Sequence, residues 1–347
     1  MERIEFFYEQ PWHKAQLLPR KAALPKSRRI CVTGPAGCGK SSLLRLWAKE
    51  RFDQKEVLFL DCADLRCAPP DLADLERFIA QNSIRLLCVA GYGGWPLPEC
   101  EHIWLSAKEK AEGFEEVRLG GLDFEEYLAF ERHSDPKVAF NHFLKSGNYP
   151  ECALLPEWKQ QRRAQEILRL GFGEDLEIFA EIARFEGHTA SVHFIFTRLK
   201  ERYAIGKDRF YALFERWIKE GEIFAVPKWG AKRAAKKLFF ANFLAKPLLF
   251  TQREFPKIFE NMVFLELKEP VWYLEPLGFY LPQSQKAVLA IPFGDEVRIQ
   301  KRIDQMLAKN RLELARIEVV TVAGSFRYET GGIFCEITPF YEWALGE

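Results

Sequence analysis

Gly34-Pro-Ala-Gly-Cys-Gly-Lys-Ser41 constrains this chain more than any other stretch. It matches GxxxxGK[ST] and follows the short apolar run Arg29-Ile-Cys-Val-Thr33. It precedes Ser41 to Phe52, where Leu43, Leu44, Leu46 and Trp47 recur as a helical stripe. A strand, a glycine loop and a helix in that order form the context in which the motif cradles phosphate. Gly34, Gly37 and Gly39 let the backbone curl with its N–H groups inward, and the helix start adds a positive dipole end. The motif therefore predicts a nucleotide site made of Gly34, Pro35, Ala36, Gly37, Cys38, Gly39, Lys40, Ser41 and Ser42. Lys40 would reach the β and γ phosphates of ATP, and the Ser41 hydroxyl would ligate Mg²⁺. Cys38 is expected to be a small packing residue.

The surrounding pattern predicts an α/β fold: a P-loop NTPase parallel sheet with helices on both faces, then a helical and winged-helix module, then a small α/β C-terminal domain. Apolar strands at Val57–Asp61, Ile84–Ala90, His102–Leu105 and Val117–Leu119 alternate with helical stretches such as 71–81, as in a sheet covered on both sides. At 347 residues the chain exceeds one ordinary core. The expected divisions are a basic leader at 1–29, the nucleotide domain at 30–120, a helical region at 121–188, a winged-helix module at 189–250 and the last domain at 251–347. Asp123 with Glu126 reads as a capping box. Prolines 11, 19 and 25 argue against a long helix in the leader.

Hydrolysis needs more than the loop. A P-loop ATPase holds Mg²⁺ with a carboxylate at the end of a neighbouring strand and often polarises water with an adjacent Glu. The strand 44 to 49 residues past Lys40 ends Ala90-Gly91, with no acid. Val57–Leu60 ends in Asp61, the one candidate catalytic residue. It is either a substitute metal partner or a strand-end residue capping the next turn, and the second is the commoner use of Asp.

The whole chain carries 50 Lys and Arg against 49 Asp and Glu, yet 189–250 holds 13 against 5. Arg209, Arg216 and Lys219 on the second helix of that segment, with Lys228, Lys232, Arg233, Lys236 and Lys237 in the wing, are candidates for contact with the phosphates of duplex DNA. The other reading is a lid or docking surface for proteins or for another copy of this chain. Arg132 is either a residue acting on a neighbouring subunit's γ-phosphate or a surface helix residue. The six histidines never pair with cysteine at metal spacing, so zinc is not expected. Eight scattered cysteines without a CxxC pair fit reduced thiols. No apolar run reaches the roughly 18 residues of a membrane span. The acidic N-terminus lacks a signal-peptide core. A cytoplasmic location follows as the expectation.

With these motifs placed, the stretch from Arg28 to Trp343 resembles a family of prokaryotic AAA+-type ATPases that join a P-loop domain to a winged helix and a C-terminal domain of unknown function. The resemblance rests on the P-loop, on Leu119-Gly-Gly-Leu-Asp-Phe-Glu-Glu-Tyr-Leu128, on Gly147-Asn-Tyr-Pro-Glu151, on Phe239-Phe240, and on Phe259-Glu-Asn-Met-Val-Phe-Leu-Glu-Leu267. It implies that Ser106 is a polar sensor residue, whose other reading is a strand-end cap. It also implies that the C-terminal domain resembles the restriction-endonuclease fold. The corresponding strands, 278–283 and 287–293, carry neither the carboxylate nor the lysine of a metal site, and Glu260 stands alone; a nuclease is not expected. The function implied is an ATP-binding, nucleotide-dependent switch with weak or absent hydrolysis. The alternatives are a DNA-binding or scaffolding protein with a structural nucleotide, and an active ATPase using Asp61.

Overall fold

The computed structural model describes residues 2–11, 17–131 and 135–346. Lys14 of the leader and Arg132 lie outside them. The chain divides into two compact units, Met1–Gly121 and Leu122–Glu347.

The first unit contains α1 (Glu2–Glu9), β1 (Arg29–Thr33), α2 (Lys40–Arg51), β2 (Val57–Asp61), α3 (Leu72–Gln81), β3 (Leu86–Ala90), β4 (His102–Ser106) and β5 (Glu115–Arg118). All five strands run parallel in the order β2-β3-β4-β1-β5. The period of two in a strand sends alternate residues to opposite faces. Ile30, Val32, Leu86, Cys88 and Trp104 pack on α2 through Leu43, Leu44 and Trp47. Cys31, Leu87, Val89, Ile103 and Leu105 turn the other way, onto Leu75, Phe78 and Ile79 of α3. Each fully buried large side chain contributes about 1.5–3 kcal/mol, so both faces must be covered for the sheet to persist. Leu46, expected in the α2 stripe, is only half-buried.

The segment expected as a leader joins this core. Ile4 and Phe7, one turn apart on α1, are buried with the α3 face, and Ala22 and Leu24 pack against the α2 face. The prolines fall after α1 and leave it intact.

The second unit begins with α4 (Phe124–Phe130), opened by the Asp123/Glu126 capping box. Next come α5 (Pro136–Ser146), α6 (Pro150–Ala153), α7 (Glu157–Phe172) and α8 (Leu176–Ala183). Then β6 (Thr189–Ala190), α9 (Val192–Lys200), α10 (Lys207–Glu220), β7 (Ile223–Val226) and β8 (Lys236–Phe240) form two helices and an antiparallel sheet ordered β6-β8-β7. Phe210, Leu213, Phe214 and Trp217 are the buried face of α10. Trp217 meets Phe172 and Phe179 edge-on, which anchors that helix to α7 and α8.

The remainder is α11 (Ala245–Leu249), α12 (Phe255–Glu266), β9 (Trp272–Tyr273), β10 (Phe279–Leu281), β11 (Lys286–Ala290), α13 (Glu296–Lys309), β12 (Arg316–Thr321), β13 (Phe326–Thr330), β14 (Ile333–Pro339) and α14 (Phe340–Trp343). Its six strands lie in the order β13-β14-β12-β11-β10-β9, antiparallel at both ends and parallel through β11, β12 and β14. Ile299, Ile303 and Met306 of α13 cover one face.

Two asparagines from the stretches that carried the family resemblance are structural here. Asn261, fully buried on α12, accepts from the Phe240 amide at 2.9 Å and donates to its carbonyl at 3.0 Å. Asn148 donates to the Ala241 carbonyl at 2.7 Å. Side-chain amides satisfy backbone groups that strand pairing leaves over.

Glu186, between α8 and β6, is fully buried, and neither carboxylate oxygen has a hydrogen-bond partner. Burial pushes its pKa well above the carboxylate range; Lys246 pulls it down to a lesser degree, and Glu254 pushes it up. A carboxyl whose folded pKa is raised holds a proton that the unfolded chain has released, so stability falls as pH climbs above about 4.3. Glu186→Gln should therefore raise the thermal midpoint at pH 8 by more than at pH 4.5. Equal shifts at both pH values in calorimetric scans would contradict a protonated Glu186.

Candidate functional site

The loop between β1 and α2 is shaped by three left-handed glycines, Gly34, Gly37 and Gly39 with φ of 141°, 73° and 95°. Gly39 sits at the N-cap of α2 and offers no side-chain cap, so the first amides of the helix face the loop. The Lys40 ammonium folds back to donate to the Gly34 and Pro35 carbonyls, at 2.7 Å each. Its charge is thus held inside the curl of the loop. Ser41 and Ser42 follow on the first turn of α2, half-buried and exposed, while Cys38 is buried against the sheet. The uncapped amides, the ammonium and the Ser41 hydroxyl make a donor set that suits a polyphosphate with Mg²⁺.

Two features of this loop had no signal in the sequence. A Cβ on Gly34 would stand 2.0 Å from the Leu119 carbonyl oxygen, because the chain leaving β5 crosses directly over it. Arg20 then bolts the two together: one guanidinium nitrogen donates to Cys38 O at 2.8 Å, the other to Gly120 O and Gly121 O at 3.1 Å. An arginine in a basic leader carries no mark that distinguishes it from a solvated one.

The carboxylates lie elsewhere. Asp61 ends β2 at the sheet edge, three strand spacings from β1, or about 14 Å. Its Oδ2 accepts from Arg45 of α2 at 2.8 Å and its Oδ1 from the Ala63 amide at 3.1 Å, the arrangement of a strand-end cap. β3 ends in Ala90, as the sequence says, and the Gly91 amide donates to the buried Ser106 hydroxyl at 3.0 Å. Ser106 therefore ties β3 to β4. Glu116 of β5 is next to the loop strand and accepts from Thr33 Oγ1 at 2.5 Å, on the sheet face away from α2. A cleft of about 270 Å³ in this unit lies away from the loop. It runs between α1, α2 and β2 past Tyr8, Arg45, Phe59 and Asp61.

The basic residues of the second unit separate into two groups. Arg209 and Arg216 both reach Asp175, at 2.9 and 3.2 Å, and Lys228 reaches Glu275 at 2.7 Å. Lys237 was expected in an exposed wing and is instead buried, paired with Glu260 at 2.5 Å. Burial pulls its pKa down while Glu260 pushes it up. The strand period explains the difference, since β8 begins at Lys236 and sends that side chain out and the next one in. Lys232 and Arg233 on the β7–β8 connection, Lys236 at the start of β8 and Lys219 on α10 stay exposed.

In the C-terminal sheet, β11 starts at Lys286, one residue earlier than the expected strand. Lys286 reaches a carboxylate after all: Glu318 of β12, at 3.2 Å, which also pairs with Arg316 and accepts from Trp343 Nε1 at 2.9 Å. Glu318 and Glu260 each sit among cations. Among the described residues, no three His, Cys, Asp or Glu side chains gather as a metal site, and no helix is long and apolar enough to cross a membrane.

No protein-family model matches this chain, and no curated protein matches it. Among solved structures, the Walker-type ATPase PABY2304 of Pyrococcus abyssi aligns with a TM-score of 0.41 at 15% identity, over 64% of this chain and 90% of that one.

Gly34→Ala should destabilise the first unit by about 1–3 kcal/mol or more, since the clashing atom is backbone and cannot swing aside. Denaturant unfolding measures it, and an unchanged midpoint would mean that the 119–121 segment does not cross the loop as described.

Proposed function

We propose that this protein binds ATP–Mg²⁺ on the Gly34–Ser42 loop and acts as a nucleotide-dependent switch with slow turnover. The observation that carries this is the Lys40 ammonium held on the Gly34 and Pro35 carbonyls beside the uncapped start of α2. Lys40 and the loop amides hold the phosphates, and Ser41 offers the metal its hydroxyl. Arg20 supports the switch reading. It links the loop at Cys38 to Gly120 and Gly121, the last residues before the second unit begins in sequence. A change of loop shape on binding is thereby felt at that junction.

Slow turnover is supported by what flanks the loop. Ala90 and Gly91 offer no base for water, and Asp61 is committed to Arg45 and Ala63 at the sheet edge. A general base typically contributes ~10²–10⁴ in rate. ATP–Mg²⁺ should raise the thermal midpoint of the wild type in proportion to ln(1 + [L]/Kd), and Lys40→Ala should remove that rise. Turnover should stay below about 1 s⁻¹ and be unaffected by Asp61→Asn. Faster turnover that disappears in Asp61→Asn would make Asp61 the metal carboxylate and the protein a working ATPase.

A second reading has its own support. The order β6–α9–α10–β7–β8 is that of a winged helix, and its β7–β8 connection with the first residue of β8 exposes Lys232, Arg233 and Lys236. On this reading the connection contacts DNA phosphates. Duplex affinity should then fall steeply with salt, and the triple change of these residues to Ala should flatten the log–log slope by up to about three. An unchanged slope leaves the lid or docking role. The nuclease-like C-terminal sheet is proposed to have no cleavage activity, because Glu260 and Glu318 are bound to cations. Mg²⁺-dependent cutting of the same duplex, lost on Glu260→Ala, would refute that.

A further inference from the structure

We propose that Cys62 and Cys67 are an oxidation site of the first unit, joining as an intramolecular disulfide when a small disulfide such as oxidised glutathione reaches them. Their sulfurs stand 3.9 Å apart. A disulfide bond is about 2.05 Å, so closure needs roughly 1.9 Å of approach, within reach of side-chain rotation and a small loop adjustment. The loop brings them together without regular structure. Just past β2, the Asp64 amide donates to the Asp61 carbonyl, and the Cys67 amide to the Asp64 carbonyl. The Ala63 amide donates to Asp61 Oδ1. These turns curl the chain until residues five apart face each other.

Access singles out this pair. Cys31, Cys38, Cys88, Cys152 and Cys335 are buried, as thiols kept for packing are. Cys62 and Cys67 are both half-buried, and Cys67 lines an open cleft of about 430 Å³ between α1 and the start of α3, beside Ile4, Phe7, Pro69 and Pro70. The Cys62 amide donates to the Ala90 carbonyl. Cys100 is also half-buried, but its thiol donates to the Arg85 carbonyl at 3.4 Å.

The chemistry balances. The Cys67 thiolate attacks one sulfur of oxidised glutathione, forming a mixed disulfide and expelling one glutathione thiolate, which takes up a proton. The Cys62 thiolate then attacks the Cys67 sulfur, forming the intramolecular bond and expelling the second glutathione. Two protein thiols are oxidised and one glutathione disulfide is reduced to two thiols. Burial first, then the nearby Cys62 and the Asp61 and Asp64 carboxylates, pushes the Cys67 thiol up to about 12. Thiolate is therefore scarce near neutral pH, and the first step should speed up about tenfold per pH unit. The reduced pair gains no stabilisation from a thiolate, so the disulfide should resist reduction once formed.

Trypsin supplies the test, because it cuts after Arg66, between the two cysteines. The folded full-length protein is incubated with oxidised glutathione at pH 7 and 8, alkylated, digested without reductant and analysed by mass spectrometry. The expected product is the peptide Glu56–Arg66 linked to Cys67–Arg77, formed faster at pH 8 and released by dithiothreitol. Cys62→Ser should instead accumulate a glutathione adduct on Cys67. Separately alkylated peptides from the wild type, glutathione on both cysteines without linkage, or Cys67 joined to Cys100 would each overturn the proposal. The wild-type measurement decides even if the variant folds poorly.

Discussion

The close crossing of Gly34 by the Leu119 carbonyl is the contact on which the first unit turns. A parallel strand next to β1 must leave the sheet at the same end as the loop, and here the departing chain passes where any side chain on Gly34 would stand. That crossing is what makes the first glycine of the motif obligatory in this protein. Arg20 reinforces it with three hydrogen bonds to carbonyls, reaching both the loop and the departing chain. Bonds from a guanidinium to neutral acceptors are charge-assisted and contribute about 1.5–3 kcal/mol each where they are well formed. The loop and the chain leaving β5 are therefore held together as one piece.

Strand order decides how far the carboxylates are from that piece. β1 lies between β4 and β5, so a residue at the end of β2 is separated from the loop by two intervening strands. Asp61 keeps its charge balanced there by Arg45, whose guanidinium also lies over Phe59. The strand that would bring an acid nearer, β3, ends in alanine. The carboxylate nearest the loop strand is therefore Glu116 of β5, which is bonded to Thr33 on the sheet face away from α2.

The second unit handles its charge differently. Burying an ion without a partner is costly, and pairing offsets that cost only with good geometry. Lys237 with Glu260, Lys246 with Glu254, and Lys286 with Glu318 are cations and carboxylates that adjacent elements bring together. Asp175 gathers Arg209 and Arg216 in the same way. A local excess of positive charge counted along the sequence is thus reduced by pairing, and the exposed cations are spread over α9, α10 and the β7–β8 connection.

What the sequence by itself determined was local. The glycines and lysine of the loop, the alternating strands, the Asp123/Glu126 box and the apolar face of α10 rest on interactions within a few residues, so their spacing is enough to place them. Ala90 and Gly91 could likewise be read as an end without an acid. What only the tertiary structure decided was pairing at long range. Arg20 acts over a hundred residues from Gly121, Lys237 meets Glu260 across two elements, and Lys286 finds Glu318 on the neighbouring strand. The same holds for Ile4 and Phe7, which a Pro-rich leader gave no reason to place in a core. Spacing cannot report such contacts, because they arise from the order in which strands and helices stack, and that order is set by the burial of the whole unit.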